Sequence, residues 1–285
     1  MKKGVSMTFR AMAVHLDDAP LCDQRIDLAV WLARRFGSRL VGLYLVPIGE
    51  LTPSIAAVLP PGVVERRLAE SGDAQHRAEA RFRNAAVSLG AAAIEFRAPA
   101  GDMLDAALAH TRCADLTVLA QPDADDAGAD FTRRLAEHVL LGSGAPILLV
   151  PYAAPVPEPG SSVLIAWDDG REAARAMRDA LPILAAASRV TVVSATRDGD
   201  MADRMARSHA RLGGYLAAHG IDAQFKRIEG TSGDAAERLL SQVADVGADL
   251  IVMGGYGHAR AREFVLGGAT SAILETMTVP VLMSH

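Results

Sequence analysis

The sequence predicts an α/β protein made of two tandem, doubly wound, five-stranded parallel-sheet domains. Three observations carry this. Apolar runs of five to eight residues alternate with longer stretches at helical spacing along all 285 residues. The runs are apolar at nearly every position rather than at every second one, as expected of parallel strands covered on both faces. The whole pattern is also written twice. AMAVHLDDAP from Ala11 answers VLIAWDDGRE from Val163, each an apolar run closed by paired aspartates, Asp17–Asp18 and Asp168–Asp169. AGDMLDAALAHTRCADLTVLAQ from Ala100 answers SGDAAERLLSQVADVGADLIVMGG from Ser232, and GAPILLVP from Gly144 answers TVPVLMSH from Thr278. Three matched blocks in one order mark a tandem duplication.

Taken in order, the first half predicts strands at 10–16, 39–46, 94–98, 116–121 and 147–150. The second predicts them at 163–167, 190–196, 223–228, 250–253 and 281–284. Helices fill the gaps, for example 171–187 and 234–246. Asp102 and Asp234, each after a glycine, stand where an N-cap carboxylate accepts from free backbone N–H groups. Residues 1–151 form one domain and 162–285 the other. Between them the segment 152–161 is proline-rich, an extended spacer of about 3 Å per residue. An insertion from Ile48, over 48–64, has no counterpart in the second half; a lid, a dimer contact and a proline-rich loop before a longer helix are the alternatives, with the loop favoured.

Composition excludes several classes. A net charge of −5 argues against bulk nucleic-acid binding. No apolar run approaches the ~20 residues of a membrane span, so no membrane partner is expected. The start, MKKGVSMTFR, has a basic tip without an apolar stretch behind it, so the expected location is cytoplasmic. Cys22 and Cys113 lack the spacing of a disulfide or zinc framework, and Cys113 reads as a small buried hydrophobe.

The most informative stretch runs from Met253 to Thr270, MGGYGHARAREFVLGGAT. It leaves an apolar strand through three glycines and enters a helix at Gly267–Gly268. Glycines let backbone N–H groups approach a polyanion, and a helix N-terminus adds donors and a positive dipole end. On spacing alone, a phosphate cradle and a plain glycine-rich turn both remain open, since neither the Walker nor the Rossmann pattern is present.

These motifs resemble the universal stress protein family. The resemblant features are an N-terminal strand ending in Asp, an Asp-Leu-Ile-Val-Met-Gly strand, Gly254-x2-Gly257-x9-Gly267 and a last Pro-Val-Leu strand. The resemblance covers essentially the whole chain as two family domains. It implies an adenine-nucleotide alpha-hydrolase-like sheet with strand order 3-2-1-4-5 and, in many members, bound ATP, with Mg2+ as its companion ion. Carried over position by position, Ala166, Trp167 and Asp168 would contact the adenosine and Ala195 would pack on the base. Met253, Gly254, Tyr256 and Gly257 would hold ribose and phosphates, and Gly267, Gly268, Ala269 and Thr270 would close on the phosphates. Two positions depart from the family. Gly268 stands where a hydroxyl residue is usual, removing a hydrogen bond of about 0.5–1.5 kcal/mol. Trp167 is large for a place beside the base.

Aligned back from Pro146 against Pro280, the first half puts Ala120, Gln121, Asp123, Arg133 and Arg134 at the cradle positions 254, 255, 257, 267 and 268. Every glycine is gone, so this half is expected to have lost the nucleotide motif. Bulky Arg133 and Arg134 at a helix start read as a solvated face. The last strands of the halves are expected to pair with each other, giving an intramolecular pseudo-dimer and leaving further homodimerisation open.

Among the remaining polar residues, Asp169 reads as a helix cap and His258 as an exposed loop residue, while Arg260 and Arg262 read equally as positive potential near the phosphates or as solvated side chains. No catalytic residue and no metal ligand is named. The sequence thus points to a stress-associated module that binds an adenine nucleotide in its second domain. A slow ATP hydrolase and a protein-binding scaffold without nucleotide are the alternatives.

Overall fold

The computed structural model describes residues 8–19, 21–46, 61–91, 93–123, 128–152, 158–196, 200–229, 235–256 and 268–285. The strands are β1 Ala11–Leu16, β2 Arg39–Tyr44, β3 Ile94–Arg97, β4 Leu116–Ala120, β5 Ile147–Val150, β6 Ser162–Ala166, β7 Arg189–Thr196, β8 Ala223–Glu229, β9 Leu250–Gly254 and β10 Val281–Ser284. The helices are α1 Cys22–Phe36, α2 Pro61–Leu89, α3 Met103–Thr111, α4 Ala129–Gly142, α5 Arg171–Asp179, α6 Leu181–Leu184, α7 Asp200–Ala218, α8 Ala235–Val246 and α9 Gly268–Thr276. Two compact units result, Phe9–Leu119 and the body that holds Ala120–His285.

In the first unit the strands run β3-β2-β1-β4, all parallel. Val14, Leu16, Leu40 and Leu43 are completely or almost completely buried, as is Phe82 of α2. The second unit orders its strands β8-β7-β6-β9-β10, parallel throughout, with β5 added to β10 in antiparallel register. Leu148 faces Leu282 in that pair, and both are fully buried. The β8-to-β10 order is the 3-2-1-4-5 winding of the doubly wound class. A β-β edge that would otherwise carry bare N–H and C=O groups is thereby closed by the last strand of the first repeat.

The repeated Ala-Asp-Leu triplet has the same duty in both halves. Asp115 accepts from the backbone N–H of Arg10 at 2.6 Å and of Ala11 at 2.9 Å, fixing where β1 starts. Asp249 does this for β6, accepting from Gly160, Ser161 and Ser162 at 2.8, 3.0 and 3.1 Å. Asp102 caps α3 as expected, accepting from Leu104 and Asp105. The predicted cap Asp234, the segment 48–60 of the insertion and residues 153–157 of the spacer lie outside the described residues.

Two expectations change. The single helix over 171–187 is two, α5 and α6, because Pro182 has no N–H to continue the ladder. Cys113 is exposed, whereas Cys22 is fully buried, and both are free thiols.

Candidate site at the carboxyl ends of β6 and β9

In the second unit β6 pairs with β7 on one side and β9 on the other, with Ile165 opposite Val252. The chain winds outward from β6 to β8, then returns to β9 and β10. Ligands of such sheets sit outside the carboxyl ends at this reversal. The described residues at or just past the carboxyl ends of β6, β7 and β9 are Ala166–Gly170, Ala195 and Met253–Tyr256, and Gly268–Thr270 open α9, the next described element of the chain.

Trp167 extends the β6 ladder, its N–H donating to the Val193 carbonyl at 2.8 Å. Its indole is only 8% exposed, and Nε1 donates to Ser208 Oγ of α7 at 2.9 Å. The Ser208 hydroxyl in turn donates to Asp169 Oδ1. Asp169 adopts a left-handed backbone, φ 64°, and faces Arg211 at 3.5 Å and Arg204 at 4.0 Å. Asp169 therefore ties the β6–α5 turn to α7 and is not the helix cap expected of it. The α5 N-cap is Gly170, without a side-chain cap bond. The adjacent Asp168 closes the turn instead, Oδ1 accepting from the Gly170 N–H at 2.7 Å. Asp168 is exposed, and its second carboxylate oxygen has no hydrogen-bond partner among the described residues.

α7 also braces β7. Ser194 Oγ lies 2.8 Å from His209 Nε2, and the imidazole packs at a tilt of 42° against Phe225 with centroids 4.9 Å apart. Burial, then Arg227, pulls the His209 pKa down. Ala195, one residue beyond, is exposed at the end of β7. Neighbours Ser208 and His209 thus hold the ends of two strands. The sequence offered no sign of this beyond an amphipathic helix.

On β9, Met253 is buried opposite Met283. Gly254 is required by packing: a Cβ there would stand 2.5 Å from the Ala173 nitrogen and 2.6 Å from the Glu172 carbonyl carbon of α5. At Gly255 a Cβ would meet Leu140 Cδ2 of α4 at 2.7 Å. Tyr256 has φ 52°, and its hydroxyl is buried with no hydrogen-bond partner among the described residues. Burial and the nearby Glu137 carboxylate of α4 raise its pKa, against Arg133. The phenol thus lies in the field of α4. Gly257, Gly267 and the loop residues His258, Arg260 and Arg262 lie outside the described residues. Gly268 and Ala269 open α9, and Thr270 is buried in its first turn.

The corresponding positions of the first repeat are engaged otherwise. Asp17, the counterpart of Asp168, pairs with the fully buried Arg25 at 2.7 Å and accepts from the Ala19 N–H at 3.0 Å. Arg25 Nε donates to the His15 carbonyl at 2.7 Å, and His15 Nε2 donates to the Leu45 carbonyl at 3.0 Å. Burial works to raise the Asp17 carboxyl, but Arg25 and His15 hold it at about 2. Burial lowers the His15 imidazole to about 4, against the pull of Asp17. Gln121, which replaces Gly255, donates to the Leu274 carbonyl at 2.8 Å and accepts from the Tyr152 N–H at 3.0 Å. Arg133 and Arg134 fall in the second turn of α4, which begins at Ala129, rather than at a helix start. Arg134 pairs with Asp130 at 3.2 Å.

Among the described residues no three His, Cys, Asp or Glu side chains converge as a metal would need. No described helix is long and apolar enough to cross a membrane.

Residues 161–285 match the model of the Universal stress protein family. A universal stress protein of Synechocystis sp. is 38% identical over 61 residues, 21% of this chain and 21% of that relative, so the match spans about a fifth of each. Among solved structures, a universal stress protein from Archaeoglobus fulgidus aligns with a TM-score of 0.74 at 16% identity, covering 96% of this chain and 97% of that one. A protein of unknown function from Pseudomonas aeruginosa aligns at 0.57 and 16%, covering 97% and 92%. At such identities the likeness speaks for the fold alone.

Proposed function

We propose that this chain, whose residues 161–285 belong to the universal stress protein family, binds an adenine nucleotide at the carboxyl ends of β6 and β9 and acts in the cytoplasm as a stress-response binding module. The observation that carries this is the strand-order reversal between β6 and β9, with Asp168 and Ala195 exposed near the carboxyl ends of β6 and β7. The indole of Trp167 is bonded to Ser208 and nearly buried, so it presents little surface of its own to a ligand.

The residues present fit such a ligand in part. Asp168 keeps a carboxylate oxygen to accept from an exocyclic amino group or a ribose hydroxyl, and Ala195 offers a small apolar surface to a base. ATP phosphates would take the free backbone N–H donors at the start of α9, with Mg2+ sharing their charge. Gly254 itself argues little, because α5 demands a glycine there with or without a ligand. Gly268 favours a second reading, a protein-binding scaffold that has given up nucleotide, since it removes the hydroxyl that commonly bonds a phosphate.

Mass spectrometry of small molecules released from the denatured protein, then calorimetric titration with ATP and Mg2+, separates these readings. The expected result is binding that Gly257→Asp abolishes while leaving the apo melting curve nearly unchanged. No binding up to millimolar ATP leaves the scaffold. Binding without ADP formation over hours removes the hydrolase.

A further inference from the structure

The first unit carries a cleft that the nucleotide reading does not use. It lies between the β1–α1 turn and the long helix α2, is open to solvent, has a volume of about 480 Å3, and is lined by Asp18, Arg77, Ala80, Arg81 and Asn84. That volume lies within the ~300–1,000 Å3 usual for small-molecule sites. Arg77, Arg81 and Asn84 fall at i, i+4 and i+7 of α2, which brings them to one face.

The open hydrogen-bonding capacity of this cleft is mostly donor capacity. Arg77 makes no ion pair or hydrogen bond among the described residues. Arg81 donates to the Asp17 carbonyl at 2.9 Å and stands 3.5 Å from Asp23 and 3.8 Å from Asp18, but its Nε is buried without a partner. Two guanidiniums one turn apart match the forked oxygens of a carboxylate or phosphate. The acceptor of the cleft is Asp18, 3.8 Å from Arg81, which repels a bare polyanion and welcomes a hydroxyl or ammonium group.

We propose that this cleft binds a small organic anion, a carboxylate or phosphate ester that also bears a hydroxyl or ammonium group. Its anionic end lies on Arg77 and Arg81 and its donor faces Asp18. The site is independent of the β6–β9 reading, since all its residues belong to the first repeat.

Calorimetric titration of the full chain, freed of nucleotide, tests this with malate, glycerol 3-phosphate and inorganic phosphate as probes. Malate reports carboxylate recognition and glycerol 3-phosphate reports phosphate recognition. Saturable binding of at least one of these two is expected, weakened about tenfold or more by Arg77→Ala. Gly257→Asp should have no effect. The proposal is overturned if neither organic probe binds at millimolar concentration. It is equally overturned if Arg77→Ala leaves binding intact, or if inorganic phosphate binds as tightly as either organic probe, which marks an adventitious ion only.

Discussion

A missing methyl group sets how closely β9 approaches α5. The Cβ of Gly254→Ala would strike backbone atoms of Glu172 and Ala173, which have no rotamer to yield. Overpacking of this kind costs about 1–3 kcal/mol, and urea denaturation of Gly254→Ala should show a loss in that range or beyond. Gly255→Ala meets only the tip of Leu140, a side chain that can turn aside. Its loss should be clearly the smaller of the two, and equal losses would refute the packing account. Asp169 shows the same economy from the other direction. A non-glycine residue is held left-handed because Ser208, Arg204 and Arg211 all reach its carboxylate.

At the scale of elements, the second unit is tied through Gln121, which links α9 to the chain leaving β5. In Gln121→Leu the Tyr152 N–H and the Leu274 carbonyl both lose the side chain they bond. The orphaned buried Leu274 carbonyl costs about 1–3 kcal/mol and the half-buried Tyr152 N–H less, so the melting temperature should fall below that of the parent, and an unchanged value would sink this assignment. The strands were legible in the residue order. β5 and β10 match their expected limits, and the other strands shift by one or two residues at an end, because continuous β-branched runs declare themselves locally. The division of the helix after β6 was also in plain view at Pro182 but yields only to attention to a missing donor. Partners across elements were not legible. Nothing in the text of α1 says that Arg25 turns inward to Asp17, or in α7 that Ser208 meets an indole. Such pairings depend on helix rotation, which a one-dimensional period fixes only roughly. The glycine motif was legible as a motif, but Gly254 and Gly255 turn out to serve close packing against α5 and α4, a demand the sequence does not display.

For the whole molecule, acid is the telling stress. Burial lowers His15 to about 4, and burial also lowers His110 and His209. Histidines kept neutral when folded bind fewer protons than in the unfolded chain, so their contribution is complete above about pH 6.5 and shrinks as pH falls toward 4. Asp17, held at about 2, adds stability above its unfolded value near 3.8 and loses it between roughly pH 4 and 2. Both effects have the same sign. Denaturant midpoints measured at pH 7, 5 and 4 should decline at each step, and a flat profile from 7 to 5 contradicts the buried neutral imidazoles.

The two copies written in the sequence and the two bodies formed in space do not share a border, since the second body takes in residues from Ala120 onward. β5, encoded by the first copy, is hydrogen-bonded to β10 of the second. A gene fragment cut neatly at the repeat, from residue 162, would be born with Val281, Leu282 and Met283 on a raw, greasy border looking for any spare strand. Such a product would gather into pairs or precipitate, and its misbehaviour would say nothing about whether the second copy can fold.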